Sequence, residues 1–264
     1  MASPAYDSDP LALLKALLGT IEEDIIPLTT TGVSSGNKLF GAAVLSKAGL
    51  VPQTVSTNNE TASPLLHGEI NCIQQFFAQT SFPDPSLHRG EGEPPPLSQQ
   101  QQQRPNPRDC VFLATHEPCS LCLSGITWSG FDNFFYLFTY EDSRDLFSIP
   151  YDIEILQEVF RVPAVTASRS ASSPLSTNAG SGKQIGGALD EDLEARPLYN
   201  RRNKFFTARS FEDLAREVGD RYGEEEEKRW KREIARVKAR YKGLSDTYQK
   251  MKTDAAVESA SFWK

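Results

Sequence analysis

The chain has 264 residues, 39% of them hydrophobic, and a formal net charge of −7. That is enough apolar content for a core in one large domain or a domain with appendages, and no apolar run is long enough to span a bilayer, so no membrane role is expected. The acidic balance argues against a polyanionic partner, because nucleic-acid binders carry basic surfaces.

Four cysteines are too few for a disulfide scaffold and suit a reducing compartment. Met1 to Pro10 holds Asp7 and Asp9 and no basic residue, unlike a secretory or transit segment. A cytoplasmic home is therefore expected, with a nuclear one also open.

Taken in order, Asp9 and Pro10 read as the cap and first turn of an amphipathic helix ending near Pro27, with Leu11, Leu14, Leu17, Leu18, Ile21 and Ile25 on one face. Lys38 to Leu45 and Leu50 to Val55 flank Lys47-Ala48-Gly49 and predict a strand, turn, strand unit. The small residues Gly41, Ala42 and Ala43 would admit a ligand close to the backbone, or tight packing on a helix. Asn58, in a polar loop, is a candidate substrate contact or a routine turn residue. A helix is predicted over His67 to Gln79.

Phe82 to Arg108, with its run Gln99 to Gln103, reads as a low-complexity insertion. Cys110 to Ala114 predicts a buried strand delivering His116 and Glu117 to a helix that begins at Pro118 and ends near Trp128. His116 is a possible substrate contact or a solvated strand end. Phe134 to Tyr140 predicts another strand and Asp152 to Phe160 another helix, so strands and helices alternate as in an α/β layer structure. Pro163 to Ala195 reads as a flexible linker. Lys204 to Ala208 offers a last strand and Phe211 to Val218 a short helix.

In the tail, Trp230, Ile234, Val237, Tyr241, Leu244, Tyr248 and Met251 alternate steps of four and three, an a/d stripe of a long amphipathic helix or coiled coil. It is expected to pack on the domain or on a second copy of the chain. Glu224 with Lys228 and Glu227 with Lys231 are candidate helix pairs. Arg229, Arg232, Arg236 and Arg240 would face RNA or, more simply, solvent.

The chemistry lies in two separated pieces, Leu66-His67-Gly68-Glu69-Ile70 and Glu117-Pro118-Cys119-Ser120-Leu121-Cys122. Together they read H-x-E and P-C-x-x-C, the zinc-deaminase signature. A catalytic zinc takes three protein ligands and keeps one position for water. His67, Cys119 and Cys122 supply that count, and Glu69 is the expected proton carrier. Alone, P-C-x-x-C would also suit half a structural zinc knuckle or a redox dithiol, with Cys72, Cys110, His88 and His116 the remaining candidates for a closed site.

These motifs resemble the cytidine deaminase-like superfamily, in its His-x-Glu branch that includes cytosine, guanine and tRNA adenosine deaminases. The resemblance covers about Leu11 to Phe160 and resumes at Lys204 to Phe211. It implies a three-layer α-β-α fold with a mixed central sheet of about five strands, plus here a C-terminal amphipathic helix. It also implies a zinc cofactor and hydrolytic deamination of a small-molecule nucleobase, nucleoside or nucleotide, with a tRNA adenosine or an inactive interaction module as rivals. Asn58 inherits a substrate contact from it, and Ala42 or Ala43 a backbone contact to the base. A homodimer is possible, and nucleic acid is an unlikely partner. The expected organisation is a zinc deaminase domain over 1–163 containing the insertion 82–108, a linker over 164–196, and a last strand with helical extension over 197–264.

Overall fold

Asp9 caps the first helix α1 (Pro10–Thr20) by accepting from the Leu11 N–H at 2.9 Å, and Pro10 occupies the first turn, where its missing N–H costs nothing. The computed structural model describes residues 9–79, 106–160 and 198–254. The predicted stop at Pro27 is overturned. The chain widens into a π-helical turn (Ile21–Ile25), in which the Ile26 N–H reaches back to the Ile21 carbonyl, and continues as α2 (Ile26–Ser34) with Pro27 in its first turn. The extra residue of the π turn restarts the ladder where proline cannot donate.

Then come β1 (Gly41–Ser46), β2 (Pro52–Thr57), α3 (Gly68–Gln79), β3 (Cys110–His116), α4 (Ser120–Ser129), β4 (Asn133–Phe138), α5 (Tyr140–Phe147), α6 (Tyr151–Glu158), β5 (Thr207–Ser210), α7 (Phe211–Tyr222) and α8 (Glu224–Asp254). Several boundaries move from expectation. Cys119, not Pro118, is the residue before the first turn of α4. Tyr140 leaves the predicted strand because Thr139 and Asp142 form a reciprocal cap that starts α5. The last strand begins at Thr207 rather than Lys204. Of the predicted insertion, Pro107–Asp109 form a 3₁₀ turn with Asn106 as cap, while 82–105 and the linker over 164–196 fall outside the described residues.

The strands form one mixed sheet in the order β2-β1-β3-β4-β5, with β1 antiparallel to β2 and β3, and β3, β4 and β5 mutually parallel. β3 and β4 are buried along their whole length, as strands covered on both faces must be. The period of two divides the core. Ala42, Val44, Phe112, Ala114, Phe134 and Tyr136 face a layer with α3 and α4, where Cys72, Phe76 and Ile126 pack. Ala43, Leu45, Val111, Leu113, Phe135 and Leu137 face a layer built from α1, the π turn, α2, α7 and α8.

The heptad stripe finds its partner inside the chain. Trp230, Ile234, Val237, Tyr241 and Leu244 are buried in the same cluster as Leu14, Leu17 and Phe135. Arg236 and Arg240 both reach Glu22 of the π turn, at 2.7 and 2.9 Å. The expected pairs Lys228 with Glu224 and Lys231 with Glu227 form at 2.8 and 2.6 Å. Among the described residues no helix is long and apolar enough to cross a membrane.

Because Ile234 is fully buried, Ile234→Ala should lower unfolding stability by about 2–5 kcal/mol, independent of protein concentration. Denaturant titration at two concentrations checks this, and a concentration-dependent loss would instead put the stripe against a second chain.

Candidate metal and catalytic site

The two motif pieces meet where β3 delivers its C-terminal end. His67 precedes α3 and Glu69 lies in that helix's first turn, while Cys119 precedes α4 and Cys122 lies in its first turn. Two helix N-termini thus point at one place, and the exposed N–H groups there favour anionic ligands. The donor atoms of His67, Cys119 and Cys122 lie within 4.8 Å of one another, and among the described residues they form the one such group of three or more. Cys119 Sγ and Cys122 Sγ are 3.4 and 3.7 Å from His67 Nδ1. One imidazole nitrogen and two sulfurs at such spacing suit a tetrahedral zinc with one position left open.

Glu69 is nearly fully buried and takes the Cys122 thiol proton on Oε2 at 3.4 Å, so its carboxylate stands beside the three donors without completing their set. Burial, then the charge on Cys119, pushes Glu69 up to about 7. Burial disfavours a charged His67, but the Cys119 sulfur overrides it and raises the ring to about 9. Cys119 is held well below the usual thiol range by its hydrogen bond with Cys122 and by His67, while burial and its neighbours push Cys122 up. The group therefore gathers protons on His67 and Cys122 around one thiolate. A divalent ion replaces such protons when it binds.

What holds the pieces is local. Asn58 accepts the Gly68 N–H on Oδ1 at 2.6 Å and so caps α3, while its Nδ2 is buried with no partner among the described residues. A β-carbon at Gly68 would lie 2.9 Å from the Phe40 carbonyl oxygen and 3.0 Å from Gly41 Cα, so α3 can start this close to β1 only with glycine there. Ala42 and Ala43 sit on opposite faces of β1, paired with Ser56 and Val55 on one side and Ala114 and Leu113 on the other. The ladder thus uses their backbone groups on both flanks. Asn58 also lines a polar cleft of about 310 Å³ with Asn37, Asn59, Asn71 and Gln75, beside the edge strand β2 and apart from the donor group.

The rival ligands lie elsewhere. Cys72 is buried in the α3/α4 layer, its thiol directed at the Thr54 carbonyl. Cys110 is buried at the far end of β3. His116 is packed among the rings of Phe40, Phe138, Phe147 and Tyr241, with Nδ1 at 2.9 Å from the Thr115 hydroxyl, and burial holds it well below its usual range. It packs as a core histidine, its Nε2 buried with no partner among the described residues.

One residue beside the cysteines carries more than its sequence position suggests. Glu117 is buried; its Oε2 accepts the Tyr140 N–H at 3.1 Å, and its Oε1 accepts Tyr199 Oη at 2.9 Å and Arg201 Nη2 at 3.3 Å. Tyr140 Oη donates to the Pro118 carbonyl at 2.6 Å. The turn that presents Cys119 is thus fixed from the start of α5 and from residues more than eighty positions away, a link no local pattern announces.

Residues 26–138 match the family model of the cytidine and deoxycytidylate deaminase zinc-binding region. No curated protein matches the chain. Among solved structures, the guanine deaminase from Nitrosomonas europaea is 16% identical over 84% of this chain and 84% of that one, with a TM-score of 0.37. A guanine deaminase from Bacillus subtilis is 20% identical over 62% of this chain and 86% of that one, with a TM-score of 0.39. A structure from work on A-to-I editing by tRNA:A34 deaminases is 16% identical over 45% of this chain and 70% of that one, with a TM-score of 0.32. A mutant solved in complex with 8-azaguanine, 19% identical with a TM-score of 0.37 over 52% of this chain, is spanned over 64% of its own length. Likenesses this low carry no argument about activity, and the family match does not depend on them. It encloses His67, Glu69, Cys119 and Cys122, so this stretch of the chain is similar to the cytidine and deoxycytidylate deaminase zinc-binding region.

Proposed function

We propose that the chain is a zinc-dependent hydrolytic deaminase of a small nucleobase, nucleoside or nucleotide, with His67 Nδ1, Cys119 Sγ and Cys122 Sγ holding the ion and Glu69 moving the protons. Three clustered donors with a buried carboxylate beside them, and not a fourth donor, are the observation that carries this proposal. Bound zinc supplies a Lewis acid that lowers the pKa of water to about 7. Glu69, buried beside the three donors, is placed to accept a proton and return it. It takes one proton of water, which frees the hydroxide to add to the amine-bearing carbon, and passes that proton to the adjacent ring nitrogen; it then takes the proton of the added hydroxyl and delivers it to the amine, so that the C–N bond breaks, ammonia leaves and the carbon becomes a carbonyl.

Asn58 serves as a substrate contact through Nδ2, whose burial without a partner is costly until an acceptor on the base meets it. Ala42 serves as part of the small-residue floor on the α3 face of β1, while Ala43 faces the opposite layer, and either would offer the base only a backbone contact. An RNA substrate gains no support from α8, whose Arg236 and Arg240 are engaged with Glu22.

Zinc-loaded protein should release ammonia from at least one of cytosine, adenine, guanine, their nucleosides or their nucleotides. Glu69→Ala should lower that rate by about 10²–10⁴-fold with one zinc per chain retained. An active Glu69→Ala protein would remove Glu69 from the mechanism.

After chelation, stability should depend on pH with a definite sign. Glu69 rises from 4.5 to about 7 on folding, so its protonated form is favoured by the fold. That stabilisation is complete below its unfolded value and is lost as pH rises through 7. Urea unfolding of metal-free protein should show the loss between about pH 5 and pH 8, and Glu69→Gln should shrink it. An unchanged pH dependence in Glu69→Gln would contradict this.

A further inference from the structure

A stretch outside both motif pieces reaches the turn that carries Cys119. Tyr199 and Arg201 stand 82 and 84 positions after Glu117, just ahead of β5. The Ala208 N–H donates to the Arg201 carbonyl at 2.8 Å, and Arg202 bridges antiparallel to Thr207, so this short strap hangs on β5, the last strand of the sheet. β5 in turn pairs with Asn133 to Tyr136 of β4. The strap then leans over the α3/α4 face. The Tyr199 ring lies 6.4 Å from those of Phe134 and Phe206 and 6.2 Å from that of Tyr140, and the Arg201 guanidinium lies 5.3 Å from the centre of the Tyr136 ring.

Both side chains end on one oxygen. Glu117 Oε1 accepts Tyr199 Oη at 2.9 Å and Arg201 Nη2 at 3.3 Å, while Oε2 accepts the Tyr140 N–H at 3.1 Å. All three partners donate, so the position calls for a carboxylate, which only accepts, rather than an amide. Bonds of this charge-assisted kind are the stronger ones.

What the strap anchors is the approach to a metal ligand. The Glu117 N–H donates to the Phe138 carbonyl at 2.8 Å, and the Pro118 carbonyl accepts Tyr140 Oη at 2.6 Å. Cys119 comes next, and its carbonyl accepts the Leu123 N–H of α4 at 2.8 Å. Its sulfur is therefore placed from two sides, by α4 downstream and by the Glu117 anchor upstream. Zinc requires both sulfurs at about 2.3 Å from one point, so slack in the upstream anchor costs affinity.

We propose that Tyr199 and Arg201 are positioning residues for the metal centre: docked on Glu117, the strap holds the Cys119 turn in zinc-binding geometry, and zinc in return holds the strap. This rests on the zinc reading above and not on which base is hydrolysed. Binding free energies are reciprocal, so whatever the docked strap adds to zinc affinity, zinc adds to the docking of the strap.

The test reads zinc affinity of the full-length chain by competition with a chromogenic chelator, and hydrogen exchange over residues 199–208 with and without zinc. Glu117→Gln, which turns an N–H toward at least one donor, Tyr199→Phe and Arg201→Met should each weaken zinc binding by about 10–100-fold, as loss of an outer-shell partner does. Arg201→Lys keeps a charged donor on a similar stem and should recover part of the Arg201→Met loss. Arg209 supplies the control for simple destabilisation, since it pairs with Glu217 at 2.9 Å and lies over Phe135, on the other face of the sheet. Arg209→Ala should lower Tm and leave zinc affinity unchanged. Zinc should slow exchange of the Ala208 N–H, and the slowing should shrink in Tyr199→Phe.

Variants at 117, 199 and 201 that hold zinc as tightly as the unaltered chain would overturn the strap's role while leaving the three-donor site standing. So would an Arg209→Ala loss equal to that of Arg201→Met, an Arg201→Lys no better than Arg201→Met, or Ala208 exchange indifferent to zinc. An unaltered chain that binds no zinc would instead sink the zinc reading, and the strap with it.

Discussion

The hydrogen bond from the Gly68 N–H to Asn58 Oδ1, 2.6 Å long and buried, is the constraint on which the site depends. It sets where α3 starts, and with it the positions of His67 on one side of Gly68 and Glu69 on the other. The start of β1 lies so close that a side chain at Gly68 would strike the Phe40 carbonyl. On the opposite piece, Glu117 does the corresponding work for Cys119 by accepting from Tyr140, Tyr199 and Arg201. Two helix starts fixed against one sheet make a donor group from residues that lie 52 and 55 positions apart in sequence. This is the carboxyl-end crevice where α/β sheets bind ligands.

Electrostatics at that crevice follow from the same placement. Burial alone would keep the thiols protonated and the imidazole neutral, yet Cys119 is driven down by the Cys122 hydrogen bond and by His67, and His67 is driven up by Cys119. The protein thus stores around one thiolate the protons that a dication would displace. Glu69 shares the enclosure and is pushed the other way, toward holding its proton at neutral pH. Two roles for ionisable groups are thereby separated by environment within a few ångströms.

Legibility in the sequence tracked the range of the interaction. The donor residue types and the a/d stripe from Trp230 to Leu244 were readable, because metal chemistry restricts donors and a 3.6-residue period marks a buried face. The alternation of Phe134, Phe135, Tyr136 and Leu137 between two layers was readable as a strand for the same reason. Where the stripe would dock was not, since Trp230 and Ile234 carry no mark of Leu14 or Phe135 as partners. Pro27 misled because a π turn lets the helix pass a proline, and Tyr140 because the cap formed by Thr139 and Asp142 outweighs a strand-forming ring. Lys38 with Glu60 and Glu117 with Arg201 are long-range pairs that no spacing rule reaches.

The central claim is that His67, Cys119 and Cys122 hold a zinc ion with one position open. X-ray absorption at the zinc edge of the full-length protein tests it most directly. The account predicts two sulfurs at about 2.3 Å, one nitrogen at about 2.0–2.1 Å and one exchangeable oxygen. A closed shell of four sulfur and nitrogen ligands, or a protein that holds no zinc, would contradict it.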